Sequence, residues 1–445
     1  MAIVRQEKDL TDEYLAELLE KNQIDRNEDL LAFLRILDDI EEGLSIFIDG
    51  KWGSGKTVFV KQAILTLKAF HGTYKETLTI EIIDSIGNAL EGYSPNSQFM
   101  PVYLNALEND IYEAPILALL SVLIMESEEN GYGKTKTDSV SKITSLADAI
   151  LKPLRLDVFA NIKEGFSPKD LLESRREILG IQSNISKLIT EMLMERAEKM
   201  VLFVDELDRC NPSFALKLLE HFKFLFNLDN VIVVFSTNVS QLAHTVEGHY
   251  GSGFNGHGYL TRYYDLKVEL SNVRPSEFLE KNGYANNNRD LDGVVFGAVD
   301  KAAFSMRDCH RYFLEIEIYK KVGFSNFEIK TLRHYDAILR NTEYLVASGM
   351  APIILMTKIK DTDLYDRIMG GSAEEEFLEL AISITPFHEL LLRTYEFVNK
   401  VNHYVNVNAY FKDVYRVVFA EDDNLARRLD WSGILKLKKS LFSSF

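Results

Sequence analysis

Apolar residues recur at two different spacings along the chain, and the change of spacing outlines its architecture. Over residues 1–43, Leu15, Leu18 and Leu19, then Leu30, Leu31, Phe33, Leu34 and Leu37, fall at helical intervals. This predicts two amphipathic helices, the second capped by Asp25 or Asn27 and stopped by Gly43. Short, nearly continuous apolar runs follow at Leu44–Ile48, Met100–Leu104, Met200–Asp205 and Val231–Phe235, with a weaker alternating run at Asp265–Leu270. Each has the length of a strand, and helical stretches separate them: Val58–Leu67, Glu113–Met125, Pro168–Lys199 (with Ser167 as its cap) and Phe214–Phe226. Buried strands alternating with helices predict an α/β fold, a mostly parallel sheet covered on both faces. Residues 126–145 are polar and rich in Gly, Ser, Thr and Glu, and read as a surface loop within a charged insertion of about 126–199. From about residue 275 the β signal fades and helical spacing returns, with a turn at Gly370-Gly371. The expected organisation is N-terminal helices (1–43), an α/β core (44–271) and an all-helical C-terminal domain (272–445).

The first strand carries the most specific chemistry. Leu44–Ile48 runs into Gly50-Lys51-Trp52-Gly53-Ser54-Gly55-Lys56-Thr57, and Val58 opens the next helix. A strand, a Gly-x-x-x-x-Gly-Lys-Thr turn and a helix make up a phosphate-binding loop. Glycines at Gly50, Gly53 and Gly55 let the backbone approach a phosphate, with Trp52 and Ser54 between them, and the helix offers its positive end to the same anion. Lys56 suits the β- and γ-phosphates of a nucleotide, and the Thr57 hydroxyl suits Mg²⁺. Such a loop needs a metal-holding acid on a nearby strand, and Asp205 ends one. Glu206 follows as the candidate that activates an attacking water, with Asp208 as the fallback. Asn238, after the Val231–Phe235 run, either touches the γ-phosphate or caps a helix.

Composition narrows the class. The 445 residues carry a net charge of −17, which disfavours broad contact with nucleic acid or anionic membranes. Two cysteines, Cys210 and Cys309, suit a reducing compartment. The start is acidic (Glu7, Asp9, Asp12, Glu13) with no apolar core of a signal peptide. The longest apolar run, Ala114–Met125, is too short to cross a bilayer. The expectation is a cytoplasmic protein with no membrane segment. Thr135-Lys136-Thr137-Asp138 matches a guanine-specificity tetrad but precedes the acidic strand and follows none, so ATP is favoured over GTP. His244, His249 and His257, in or beside a Gly-rich loop (Gly248–Gly258), read as loop residues rather than metal ligands. The basic tail Lys436, Lys438 and Lys439 reads as a solvated helix face.

The loop, together with Val204-Asp205-Glu206-Leu207-Asp208-Arg209-Cys210-Asn211-Pro212, resembles the KAP family of P-loop NTPases. Asn105-Ala106-Leu107 resembles that family's Asn-Ala-Trp segment, with leucine in place of tryptophan, and Phe304-Ser305-Met306-Arg307-Asp308 resembles its Ser-Leu-Arg-Glu segment. The resemblance runs from about 25 to 315. It implies an ATPase with ATP and Mg²⁺ as cofactors and an extra strand between the two phosphate-site strands. It also implies assembly as a homo-oligomer with partner effector proteins, and a bacterial setting in defence against phage or mobile elements. Family members with membrane segments between the two motifs do not match the polar insertion here. By analogy with related oligomeric ATPases, Arg262 is a candidate to reach a neighbour's γ-phosphate, the alternative being packing on its flanking tyrosines or pairing with Asp265. Arg307 is a candidate nucleotide sensor or a surface helix charge, and Arg209 a structural or subunit-contact residue. The competing functional class is an ATP-binding switch or scaffold with little turnover, and a nucleic-acid translocase stands third.

Overall fold

A computed structural model describes residues 10–111, 115–129, 168–194, 196–251, 253–284, 289–324, 337–432 and 434–442. The described residues form two compact units that divide between Ser271 and Asn272.

The first unit is built on five parallel strands: β1 (Leu44–Asp49), β2 (Phe99–Asn105), β3 (Lys199–Asp205), β4 (Val231–Thr237) and β5 (Leu266–Glu269). Their order across the sheet is β2-β3-β4-β1-β5. β4 is therefore the strand inserted between β1 and β3. Its register sets Asp205 beside Ser236 and Asp49 beside Thr237, so three strand ends meet at one edge. Every residue of β4 is buried, as expected for a strand covered on both faces. β5 is the exposed edge and alternates, which explains its weak signal in the sequence.

Helices α1 (Asp12–Glu20), α2 (Asn27–Asp39), α3 (Lys56–Phe70), α4 (Ile80–Ala89), α5 (Pro115–Glu129), α6 (Pro168–Leu193), α7 (Pro212–Phe222), α8 (Val239–Tyr250) and α9 (Gly256–Leu260) surround the sheet. α1 and α2 pack on α3 within this unit. Phe33 of α2 meets Phe59 of α3 (5.6 Å between ring centres) and Phe203 of β3 (6.4 Å), which ties the N-terminal helices to the sheet beneath the glycine loop.

Several local expectations are corrected. Neither Asp25 nor Asn27 caps α2: the cap position is Arg26, Asp25 has a positive φ, and Asn27 is already helical. The Asn22 side chain does the capping instead, accepting from the backbone N–H of Arg26 (3.1 Å) and Asn27 (3.4 Å). α2 ends at Asp39, before Gly43. α7 is shorter than Phe214–Phe226 implied, because a 3₁₀ turn takes over at Lys223. The segment Gly248–Gly258 is mostly helix ends, since α8 runs to Tyr250 and α9 starts at Gly256. The 126–145 loop beyond Glu129, the Thr135–Asp138 tetrad and Ser167 lie outside the described residues.

From Asn272 onward every described element is helical: α10 (Pro275–Lys281), α11 (Arg289–Lys301), α12 (Met306–Ile318), α13 (Ala337–Tyr344), α14 (Ala351–Lys360), α15 (Thr362–Met369), α16 (Glu374–Ile382), α17 (Thr385–Asn402), α18 (Val407–Val418), α19 (Asp423–Arg428) and α20 (Leu437–Phe442). Between α13 and α14, residues Leu345–Met350 form a buried π-helical turn. A π turn bonds each carbonyl to the amide five residues on. For Ala347 that residue is Pro352, which has no N–H. The Tyr319 hydroxyl fills the gap, donating to the Ala347 carbonyl at 2.7 Å. Among the described residues no helix is long and apolar enough to cross a membrane.

Candidate functional site

β1 delivers the glycine loop and α3 leaves it. Gly53 (φ 74°) and Gly55 (φ 87°) take left-handed backbone, which a side chain would strain, and Gly55 caps α3. A Cβ on Gly50 would fall 2.8 Å from Ser54 Oγ and 3.3 Å from Lys56 Cγ, so the loop closes only over glycine. Lys56 folds back over it, its Nζ donating to the carbonyls of Gly50 (2.6 Å) and Lys51 (3.2 Å). Burial pulls the Lys56 ammonium below the usual lysine range, and the charges of Asp208 and Asp205 oppose that pull. Ser54 Oγ is buried with no hydrogen-bond partner. An unanswered buried hydroxyl on a backbone nest is what an incoming anion would satisfy. Val58 follows in the first turn of α3, buried.

β3 delivers the acids. Asp205 is 1% exposed. Its Oδ1 accepts from the Glu206 N–H (2.9 Å) and its Oδ2 from the Tyr103 hydroxyl of β2 (3.4 Å). The hydroxyls of Ser236 and Thr57 lie close enough to the same carboxylate to favour its charged form. Burial raises the Asp205 pKa while these donors hold it down. Thr57 and Asp205, expected as the metal pair from stretches far apart in the chain, come within electrostatic reach of each other. One hydroxyl and one carboxylate fit Mg²⁺, which keeps most of its waters and takes few protein oxygens. Among the described residues no group of three or more His, Cys, Asp or Glu forms a metal cage.

Glu206 stands next, 6% exposed, in the left-handed region (φ 62°). Such backbone in a non-glycine residue is sparsely populated and concentrates at functional sites. Its Oε1 lies 2.6 Å from Arg209 Nη1. Asp208 is also engaged, since it accepts from the Trp52 indole N–H and from the Thr237 hydroxyl (3.3 Å). With a donor on each oxygen it is placed to tie the glycine loop to β4, and Glu206 remains the better-placed base candidate. Asp49, ending β1, accepts from the Val239 N–H at 3.0 Å and lies 3.6 Å from Lys267 Nζ of β5.

Asn238 stays beside the loop, since the carbonyl of Thr237 before it accepts from the Gly50 N–H (3.3 Å). Its side chain caps α8 by accepting from the Gln241 N–H (3.2 Å), the second of its two readings. Arg262 is exposed in the turn before β5. β5 runs parallel to β1 with Leu266 level with Ile46, so Arg262 lies at the strand starts. At ~3.3 Å per residue, about 13 Å of strand separates the level of Leu266 from Gly50, and Arg262 lies beyond the far end. It is not brought to this chain's own loop. Nor does Arg262 pair with Asp265, whose Oδ2 accepts from the backbone N–H and hydroxyl of Ser45 (2.9 and 2.8 Å). Arg307 sits in the first turn of α12, in the other unit, behind the Ser305–Asp308 capping box. Asn105 closes the turn after β2, its Oδ1 accepting from the N–H of Leu107 (3.1 Å) and Glu108 (3.3 Å).

Residues that sequence reasoning missed are Tyr103, Ser236, Thr237 and the Trp52–Asp208 tie. Tyr103 had one usable signal: it is two residues before the end of the strand neighbouring Asp205, so its side chain shares a face with the strand's last residue.

A model of the KAP family P-loop domain matches residues 26–281, more than half of the chain. No curated protein sequence matches it. The matched span takes in the glycine loop, Asp205 and all five strands, and the nucleotide-binding geometry coincides with it. The chain belongs to the KAP family of P-loop NTPases.

Proposed function

We propose that the chain is a Mg²⁺-dependent ATPase. The observation that carries this reading is the convergence at one end of the sheet of the Gly50–Thr57 loop, its folded-back Lys56 and the β3-terminal Asp205, with Thr57 and Lys56 close enough to favour the charged form of that carboxylate. The backbone of Gly50, Gly53, Ser54 and Gly55 binds the phosphates, with Trp52, Val58 and Asn238 bordering them. Lys56 exchanges its loop carbonyls for phosphate oxygens. Thr57 and Asp205 would hold Mg²⁺, which neutralises phosphate charge. Glu206 accepts a proton from the water that attacks the γ-phosphorus in line. Arg262, at the opposite end of the sheet from its own loop, acts only on a neighbouring copy, where an arginine can supply about 10³–10⁵ in rate. Hydrolysis then drives assembly or conformational change with effector proteins in the cytoplasm, in a bacterial defence setting. That setting rests on the resemblance alone.

Phosphate release by the purified chain, with calorimetry of ATP binding, tests this. Lys56→Ala is expected to lose binding, and Glu206→Gln to bind and not turn over. Wild-type protein that takes up no ATP refutes the reading. The Glu206–Arg209 ion pair favours one alternative, an ATP-gated switch, because it occupies the candidate base. In that case biological function survives Glu206→Gln and fails with Lys56→Ala.

A further inference from the structure

Arg209 is three residues past Glu206 in the 3₁₀ turn Leu207–Arg209 that follows β3. Two contacts join them. The Arg209 N–H donates to the Glu206 carbonyl at 3.1 Å, and the guanidinium meets the Glu206 carboxylate at 2.6 Å. The Glu206 side chain is 7% exposed and that of Arg209 29%, so the acid is enclosed and the cation has one open side. The left-handed φ of Glu206 fixes where the acid stands. The Arg209 charge also reaches the loop, since it helps to depress the Lys56 ammonium. A triphosphate on the loop would bring its terminal charge into this same space, and a diphosphate would not. A guanidinium offers five donors in a planar fork that suits a carboxylate and a phosphoryl group equally well.

We propose that Arg209 is the residue that distinguishes a nucleoside triphosphate from a diphosphate: it leaves the Glu206 carboxylate for the terminal phosphate, and so frees Glu206 only when that phosphate is present. The proposal rests on the reading of the loop as a nucleotide site. It assigns triphosphate preference to a residue of the same chain, independent of Arg262 and of oligomer state.

The test is a double-mutant cycle on affinity, measured by calorimetry with a non-hydrolysable ATP analogue and with ADP, both with Mg²⁺. A charge-assisted contact of this kind is worth roughly tenfold or more in affinity. Arg209→Gln is therefore expected to weaken the ATP analogue about tenfold or more and to leave ADP nearly unchanged. Glu206→Gln, which loosens its hold on the guanidinium, strengthens the analogue and not ADP, and this gain disappears in the double variant. Arg209→Lys, which keeps the charge without the fork, recovers part of the analogue affinity and serves as the comparison if Arg209→Gln does not fold. Equal weakening of both nucleotides would mark Arg209 as merely structural and overturn the proposal. So would a Glu206→Gln gain that persists undiminished without Arg209. Wild-type binding of neither nucleotide would instead remove the nucleotide site itself, and the proposal with it.

Discussion

Replacing Asp208 by alanine tests the tie between the glycine loop and the sheet. The substitution removes the acceptor of two donors, Trp52 Nε1 and Thr237 Oγ1. Their fates differ. Trp52 is 48% exposed, so water can take up its indole N–H. Thr237 is fully buried, and its hydroxyl is left without this acceptor. An unsatisfied buried hydroxyl costs about 1–3 kcal/mol. For a unit of roughly this size each kcal/mol lowers Tm by about 2–4 °C, so Asp208→Ala is expected to lower it by roughly 2–12 °C. Trp52→Phe keeps the ring and is expected to cost about 0.5 kcal/mol or less, because its partner Asp208 retains Thr237 as a donor. Thr237→Val alone removes one donor from a carboxylate that is itself buried, at about 1–2 kcal/mol. The double variant Asp208→Ala/Thr237→Val removes both ends, and its cost is expected to fall short of the sum by about 1 kcal/mol or more. Urea titrations of the four proteins, read as midpoint shifts at constant slope, measure the cycle. Strict additivity, or an Asp208→Ala variant as stable as the parent, would refute the argument that Thr237 depends on Asp208.

Three other outcomes follow from the geometry. Gly50→Ala places a methyl group 2.8 Å from Ser54 Oγ and is expected to abolish ATP uptake in calorimetry while far-ultraviolet circular dichroism stays unchanged. Tyr319→Phe leaves the Ala347 carbonyl without its donor and is expected to destabilise the helical unit by about 1–3 kcal/mol in denaturant titrations. His71 is held neutral mainly by burial: its ring accepts from the Thr73 N–H (3.0 Å) and bonds the Arg196 carbonyl (2.8 Å), and its pKa lies below the ordinary 6.5. As pH falls through 6.5 the unfolded chain takes the proton first, so stability declines from there until the lower folded pKa is reached; a smaller loss of stability between pH 7 and 5.5 in His71→Asn than in the parent checks this.

Much of the site could be read from the chain because its parts are local. The glycine loop is a contiguous string, and Asp205 announces itself by ending an apolar strand. The order of the sheet then sets β3 next but one to β1 and leaves Lys56 and Thr57 within electrostatic reach of Asp205. The partners of these residues could not be read, because they are set by register across strands. Trp52 and Asp208 are 156 residues apart, and nothing near either one names the other. Tyr103 reaches Asp205 only because β2 pairs with β3 residue for residue. Arg209 looked like a structural or subunit-contact charge, and its nearness to Glu206 in sequence did not reveal the tight turn that presses them together. The α2 cap was misassigned for a similar reason. Asx-type capping by Asn22 comes from outside the helix, over a turn that residue preferences do not resolve. In the helical unit, spacing gave the helices but not the π turns at Tyr319–Phe324 and Leu345–Met350.

The folded-back Lys56 has a kinetic consequence for the proposed ATPase. Its ammonium already pins the loop into a closed curve through two neutral oxygens. Capture of a ligand then amounts to handing one cation from weak acceptors to strong ones, with no chain segment to organise first. Association is accordingly governed by collision and ionic strength, and the slow events of the cycle lie after docking.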